Sequence, residues 1–209
     1  MVAQTRYGSR RDYQESIAVR DREPNRIIAI ASSMGGIEAL KVIISALPSD
    51  FPGVILVVQH LSPRYKSHLT HILNRLTPLQ VNEARDGMEL QNSNIYVTPP
   101  DKHLIVAKGR LNLSDEPKKH FVRPSAEYTF ESLARSYKEK AVAVVLTGCD
   151  GDGEEGVKVV SEMGGKVIAQ DCETAKVFSM PESAIETGCV DLILPIDEIA
   201  DGIINMVFS

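Results

Sequence analysis

Cysteine is scarce in this chain: 209 residues hold three, Cys149, Cys172 and Cys189. An odd, sparse set builds no disulfide framework. With no CxxC pair, a zinc ribbon is excluded. Long apolar runs are also missing. No stretch reaches the ~18 residues that a membrane span requires. The Met1 end carries Arg and Glu early and has no apolar h-region, so no signal peptide is read there. Basic charge is not in excess either, since 23 Lys and Arg stand against 28 Asp and Glu, a formal net charge of -5. Binding to a phosphate backbone needs clustered cations, so nucleic acid is not expected as a partner. The short pairs Arg10-Arg11 and Lys118-Lys119 read as solvated surface. A cytoplasmic location is expected.

What the chain does have is a globular balance: 43% hydrophobic and 24% charged residues, in a length that suits one domain. Residues 1–25 are polar, mixed in charge and aperiodic, and read as a flexible tail or linker. From Arg26 to the end, residues 26–209, short apolar runs alternate with helical stretches. Buried strands are expected at Ile27 to Ala31, Gly53 to Gln59 and Ala141 to Thr147, with further strands at Lys166 to Gln170 and Leu192 to Leu194. Helices are expected at Gly36 to Leu47, Tyr65 to Leu76, Ser125 to Tyr137, Glu154 to Met163, near Pro181 to Glu186 and from Asp197. In the middle, Asn94 to Val97, His103 to Ala107 and Arg110 to Leu113 lie close together, and Lys108-Gly109 suits a hairpin turn. Part of the sheet is therefore expected to be antiparallel. The pattern predicts an α/β fold, a doubly wound, mostly parallel sheet with helices on both faces and a small hairpin.

In such sheets ligands bind outside the carboxyl ends of the strands. Ser32-Ser33-Met34-Gly35-Gly36 follows the first buried strand and His60 follows the second. Thr147-Gly148-Cys149-Asp150-Gly151-Asp152-Gly153 follows the run beginning at Ala141. A serine, a histidine and aspartates thus share one kind of position. That is the set acyl transfer needs: a weak hydroxyl nucleophile, a base near neutral pH, and a carboxylate that fixes the imidazole tautomer. A helix N-terminus beside the serine adds free N–H groups for an oxyanion.

Each piece has a blander reading when taken alone. Ser33 before a glycine pair also reads as a helix cap or, with the turn, as a phosphate cradle, although GxGxxG and the P-loop Lys are absent. His60 alone reads equally as a buried structural histidine. Asp150 and Asp152 suit turn geometry, and they begin like a calcium loop but lack its closing Glu, where Ser161 stands. His68 and His71 share a helix face without a carboxylate set, so no metal site is assigned. His103 and His120 read as surface or hairpin residues, and Cys149 lacks a second histidine to activate it.

Several segments together resemble a known family. Ile30 to Gly36 resembles the I-G-A-S-T-G-G segment of CheB-type methylesterases, Val58-Gln59-His60-Leu61 their V-Q-H motif, and Leu146 to Gly153 their L-T-G-M-G-x-D-G. Tyr96 to Pro100, Arg123-Pro124-Ser125, Ala169-Gln170-Asp171 and Val177 to Pro181 match further, so that the resemblance covers about Arg26 to Phe208. It implies hydrolysis of glutamyl methyl esters on the cytoplasmic helices of chemoreceptors, deamidation of receptor glutamines, no cofactor, and approach to the membrane only through the receptor. It places the nucleophile on Ser33, the histidine on His60 and the aspartate on Asp152. Met34, Cys149, Arg123 and Met180 fall at oxyanion or substrate-binding positions. Met34 stands for the family's threonine and Cys149 for its methionine, which puts pocket shape and substrate in question. The usual receiver domain is not expected in a chain of this length. His60 to Pro63 and the Leu40 to Leu47 helix look closer to the esterase halves of methylesterase–methyltransferase fusions. A non-catalytic receptor- or partner-binding module of the same fold, or an esterase for another substrate, stand as alternatives.

Overall fold

A computed structural model of the chain describes residues 24–208, apart from 63, 65 and 66. Of the 25 residues read as a tail, 1–23, with the Arg10-Arg11 pair, lie outside the described range.

The elements run β1 (Ile27–Ser32), α1 (Gly36–Ala46), β2 (Val54–Gln59), α2 (Leu69–Asn74), β3 (Gln80–Glu83), β4 (Asn94–Val97), β5 (His103–Ala107), β6 (Arg110–Ser114), α3 (Ala126–Tyr137), β7 (Ala141–Val145), α4 (Glu154–Glu162), β8 (Lys166–Gln170), α5 (Ser179–Glu186), β9 (Leu192–Leu194) and α6 (Ile199–Phe208). Seven strands form one sheet in the order β3-β4-β2-β1-β7-β8-β9. Every pairing in it is parallel. From β1 in the middle of the sheet the chain adds β2, passes to the edge strand β3, inserts β4 between them, and later returns to β1's other edge with β7. The point of reversal lies at β1, between β2 and β7. There the connecting loops diverge and leave a crevice at the strands' carboxyl ends.

β1, β2 and β7 are buried along their whole length, because helices cover both faces and alternate side chains enter different cores. Ile27, Ala29 and Ala31 pack with Phe130, Leu133, Val157 and Val160 of α3 and α4. Ile28 and Ile30 pack with Leu40, Ile43 and Ile44 of α1 and Ile199 and Ile203 of α6. The first face carries small residues at its centre, Ala29, Ala31, Ala141 and Ala143. Small side chains there let α3 and α4 lie close over the middle strands, which matters for the site.

Two readings of the sequence are corrected. The antiparallel pair β5–β6 is not part of the main sheet but a separate two-stranded sheet. It lodges beside α3, whose hydroxyls satisfy its backbone: Thr129 and Ser136 donate to the carbonyls of Leu104 and Val106, and Val106 N–H donates to Ser132 Oγ. Side-chain partners take the place of a neighbouring strand. The helix read from Tyr65 to Leu76, whose first two residues lie outside the described range, spans Leu69–Asn74 among the described residues. Ser67 Oγ accepts from Leu69 N–H and so closes its start. His103 lies in the hairpin, as read, and its side chain is wholly buried. β3 was not foreseen. Its sequence, Gln-Val-Asn-Glu, buries Val81 alone and offers no apolar pattern.

Candidate active site

The three candidate residues leave three adjacent strands. Ser33 follows β1, His60 follows β2, and Asp152 ends the loop after β7. β1 has no polar side chain until Ser32, and there the strand gives way to a tight turn. Gly35 takes φ 84 as the N-cap of α1, a left-handed conformation suited to glycine. Gly36 must also be glycine. A Cβ there would lie 2.4 Å from Gln59 Oε1 and 2.5 Å from Ser32 Cβ.

The turn is held from two sides. Ser33 N–H donates to Thr147 O (3.0 Å), and Thr147 Oγ1 donates to Met34 O (2.9 Å). Gln59, the one polar residue of β2, is buried and donates from Nε2 to the carbonyls of Ser33 (2.9 Å) and His60 (3.0 Å), while its Oε1 accepts from Ser32 Oγ (2.7 Å). One amide therefore ties the serine turn to the histidine. The bonds fixing these loops use the N–H groups of Ser33, Gly36 and Gly148. Those of Met34 and Cys149 stay outside that set.

His60 and Asp152 meet directly, His60 Nε2 lying 2.7 Å from Asp152 Oδ2 with both side chains nearly excluded from solvent. Asp152 also accepts from Ser125 Oγ (2.5 Å) and from Ala126 N–H (2.6 Å). Burial pushes the Asp152 carboxyl up. The hydrogen bond and charge of His60, with those from Ser125 and Ala126, outweigh burial and hold it below its ordinary value. It is thus an ionised acceptor. With His60 Nε2 donating to it, the imidazole's other nitrogen carries the lone pair. That atom, Nδ1, is buried and has no hydrogen-bond partner among the described residues.

The aspartate's setting rests on a reciprocal arrangement of two helix starts. Asp152 accepts from the N-terminus of α3 at Ala126. Glu127, in the first turn of α3, is buried and accepts from the N-terminus of α4: Gly153 N–H and Glu155 N–H to Oε1 (3.2 and 3.1 Å) and Gly156 N–H to Oε2 (2.5 Å). Asp152, just before α4, thus takes one N–H at the start of α3, and Glu127 of α3 takes three at the start of α4, where the dipoles also favour negative charge. Burial raises the Glu127 carboxyl above its ordinary range; the Gly156 N–H works against this, and the charge of Asp152 adds to it. Behind Ser125, which also caps α3, the buried His103 accepts Ser125 N–H at Nδ1 (3.1 Å). Burial lowers the pKa of His103, so it is neutral there.

The other predicted residues fall around this centre. Met34 is 54% exposed beside the serine. Cys149 is half-buried in the loop carrying Asp152. Met180 is buried beneath Gly148, where an added Cβ would come 2.6 Å from its Sδ and 2.8 Å from Ser33 Cβ. The guanidinium of Arg123 is occupied by Asp101 (2.8 Å) and by the carbonyls of Asp115 and Glu116. Among the described residues, His120, Glu127 and Asp152 bring potential metal-ligand atoms within 4.8 Å of one another. Both carboxylates there already accept several hydrogen bonds. His68 and His71 stand at the start and middle of α2.

The sequence analysis gave no role to Gln59, Ser125 or Thr147, which stand inside its motifs, and did not single out Glu127. For Gln59 the signal was present, a lone amide ending an otherwise apolar strand. Glu127 reads on its own as an ordinary acidic first-turn residue.

The comparisons with known proteins agree with this architecture. The model of the CheB methylesterase family matches residues 28–203. The crystal structure of the Thermotoga maritima CheB methylesterase catalytic domain superposes with a TM-score of 0.84 at 40% identity, over 87% of this chain and 98% of that one. The protein-glutamate methylesterase/protein-glutamine glutaminase of group 3 operon from Rhizobium meliloti (strain 1021) is 42% identical over 183 residues, which are 87% of this chain and 52% of that protein. A protein of the same activity name, without the operon, from Symbiobacterium thermophilum is 40% identical over 188 residues, 90% of this chain and 52% of its own length. The chain spans about half the length of these curated relatives. With the family model covering most of the chain and the sheet matching a catalytic domain of that family, this chain belongs to the CheB methylesterase family.

Proposed function

We propose that Ser33, His60 and Asp152 form a catalytic triad that hydrolyses methyl esters of glutamate side chains on chemoreceptor cytoplasmic helices, and deamidates glutamines at such positions. The observation that carries the reading is the 2.7 Å contact between His60 Nε2 and the ionised Asp152, at the ends of strands flanking the one that delivers Ser33. Residues 26–209 are the catalytic unit in this reading and residues 1–25 a tail or linker. It acts in the cytoplasm and reaches the membrane only through the receptor. Among the described residues no helix is long and apolar enough to cross a membrane.

The chemistry follows from the tautomer. Asp152 accepts from Nε2–H, so Nδ1 is the base. It takes the Ser33 proton while Oγ attacks the ester carbonyl. The oxyanion is met by the backbone N–H groups of Met34 and Cys149, a role that does not depend on either side chain. The imidazolium, stabilised by Asp152, returns the proton to the departing methanol. Water then enters by the same route in reverse, and the acyl-enzyme yields glutamate and free serine. A glutamine amide would release ammonia in the same cycle. Met180 supports Gly148 from below. Arg123, held by Asp101, anchors the segment that leads into Ser125.

The test is methanol release from a methylated receptor cytoplasmic fragment, with Ser33→Ala alongside. Loss of a triad nucleophile costs on the order of a million-fold in kcat. A Ser33→Ala protein that released methanol at the wild-type rate would overturn the mechanism.

A further inference from the structure

Phe121 is 95% exposed, more than any other large apolar side chain among the described residues. It sits in a tight turn closed by Val122 N–H donating to Lys119 O at 2.9 Å. Both central residues are left-handed, His120 at φ 48 and Phe121 at φ 63. Turns of that kind ordinarily carry Asn-Gly, and a bulky aromatic adopts the conformation only at a cost in backbone energy. Such costs persist where the surroundings over-determine the backbone, and they concentrate at functional sites.

The surroundings do over-determine it. Lys119 pairs with Glu131 at 3.1 Å and lies over the Tyr128 ring. His120 Nε2 is 3.6 Å from Glu127 Oε1. Arg123 is fixed by Asp101 and by the carbonyls of Asp115 and Glu116, and Tyr128 Oη donates to Pro117 O. The residues on both sides of Phe121 are thus pinned to α3 or to the preceding loop, while its own ring faces solvent. The turn also stands at the site, since His120 offers a nitrogen within 4.8 Å of the carboxylate oxygens of Glu127 and Asp152. A second exposed apolar side chain, Met34, follows the candidate nucleophile.

We infer that the 119–122 turn is a rigid docking tip. The Phe121 ring packs against an apolar side chain of the substrate helix that flanks the esterified glutamate, with Met34 as the second contact. Rigidity is the advantage: a turn whose backbone is already held loses little freedom on binding, so burial of the ring's surface goes into affinity. A small ester has no helix for the ring to meet. The role therefore separates protein substrate from small substrate, and it rests on the proposed action on a protein substrate.

The test compares wild type with Phe121→Asn on two substrates, a methylated receptor cytoplasmic fragment and p-nitrophenyl acetate. Asparagine tolerates the left-handed conformation and keeps the turn while removing the ring, so thermal stability is expected to be equal or higher. The expected result is a KM for the receptor fragment raised about tenfold, with kcat/KM for the small ester unchanged. An unchanged KM for the receptor, with methanol release intact, overturns the docking tip alone. Equal losses on both substrates also overturn it, because the turn would then be acting on the catalytic centre. Absence of methanol release by the wild-type protein overturns the reading of function, and the docking role with it.

Discussion

Glu127→Gln isolates the reciprocal capping of α3 and α4. The substitution is isosteric, so it makes no cavity. It keeps one oxygen, enough for the N–H groups of Gly153 and Glu155, and replaces the oxygen that accepts Gly156 N–H with an amide nitrogen. A buried N–H then loses its acceptor and meets a second donor. Leaving a buried donor unpaired costs about 1–3 kcal/mol. Relief of the like charge beside Asp152 offsets part of this, so a net loss of about 1–2 kcal/mol is expected. Urea unfolding monitored by circular dichroism would read it as a lower midpoint at constant slope. The turn that moves to escape the clash is the one ending in Asp152, and a misplacement near 1 Å can cost about a hundredfold in turnover. Methanol release should therefore fall well beyond what the stability loss explains. Glu155→Gln on the same helix is the control. Its side chain is mostly exposed and, among the described residues, pairs with Lys158 alone, so a change within about 1 kcal/mol and no loss of turnover is expected. A Glu127→Gln protein with wild-type midpoint and wild-type turnover would refute the argument that this carboxylate sets the aspartate.

Further outcomes follow from the same geometry. Asp152→Asn should lower kcat by about 10⁴, since the amide can no longer hold the tautomer with Nδ1 free; steady-state kinetics would check it. Because the folded Asp152 carboxyl lies below its ordinary value of 3.8, its stabilisation is fully present above that pH and is lost as pH falls through the depressed value. The stability advantage of wild type over Asp152→Asn should shrink on acidification below about 3.8 and not on alkalinisation, measured by unfolding across pH. Gly148→Ala should lower turnover about 10- to 100-fold, because the new Cβ would press on Ser33 Cβ at 2.8 Å as well as on Met180 Sδ. Overpacking there should also cost about 1–3 kcal/mol in the same unfolding assay.

The sequence by itself determined the elements that are strongly patterned. β1, β2 and β7 are continuous branched or small apolar runs, which only a sheet covered on both faces accommodates, and the glycines at 35 and 36 announced a sharp strand-to-helix turn. It also placed a serine, a histidine and an aspartate after three such strands. The weak places were those where local pattern is poor. β3 has one buried side chain, and the α2 segment is too short for its periodicity to mark its ends. The hairpin's separation from the sheet depends on hydroxyls of α3 that lie some 20 to 30 residues away. The tertiary structure alone decided that β2, β1 and β7 are neighbours, which turns three separate loops into one crevice. It alone decided which histidine nitrogen faces Asp152. It also turned Glu127 from an ordinary first-turn acid into a buried cap for the helix beside the aspartate. Strand order and hydrogen-bond partners are long-range relations, and residue patterns constrain the faces a segment buries far more tightly than the neighbour it buries them against.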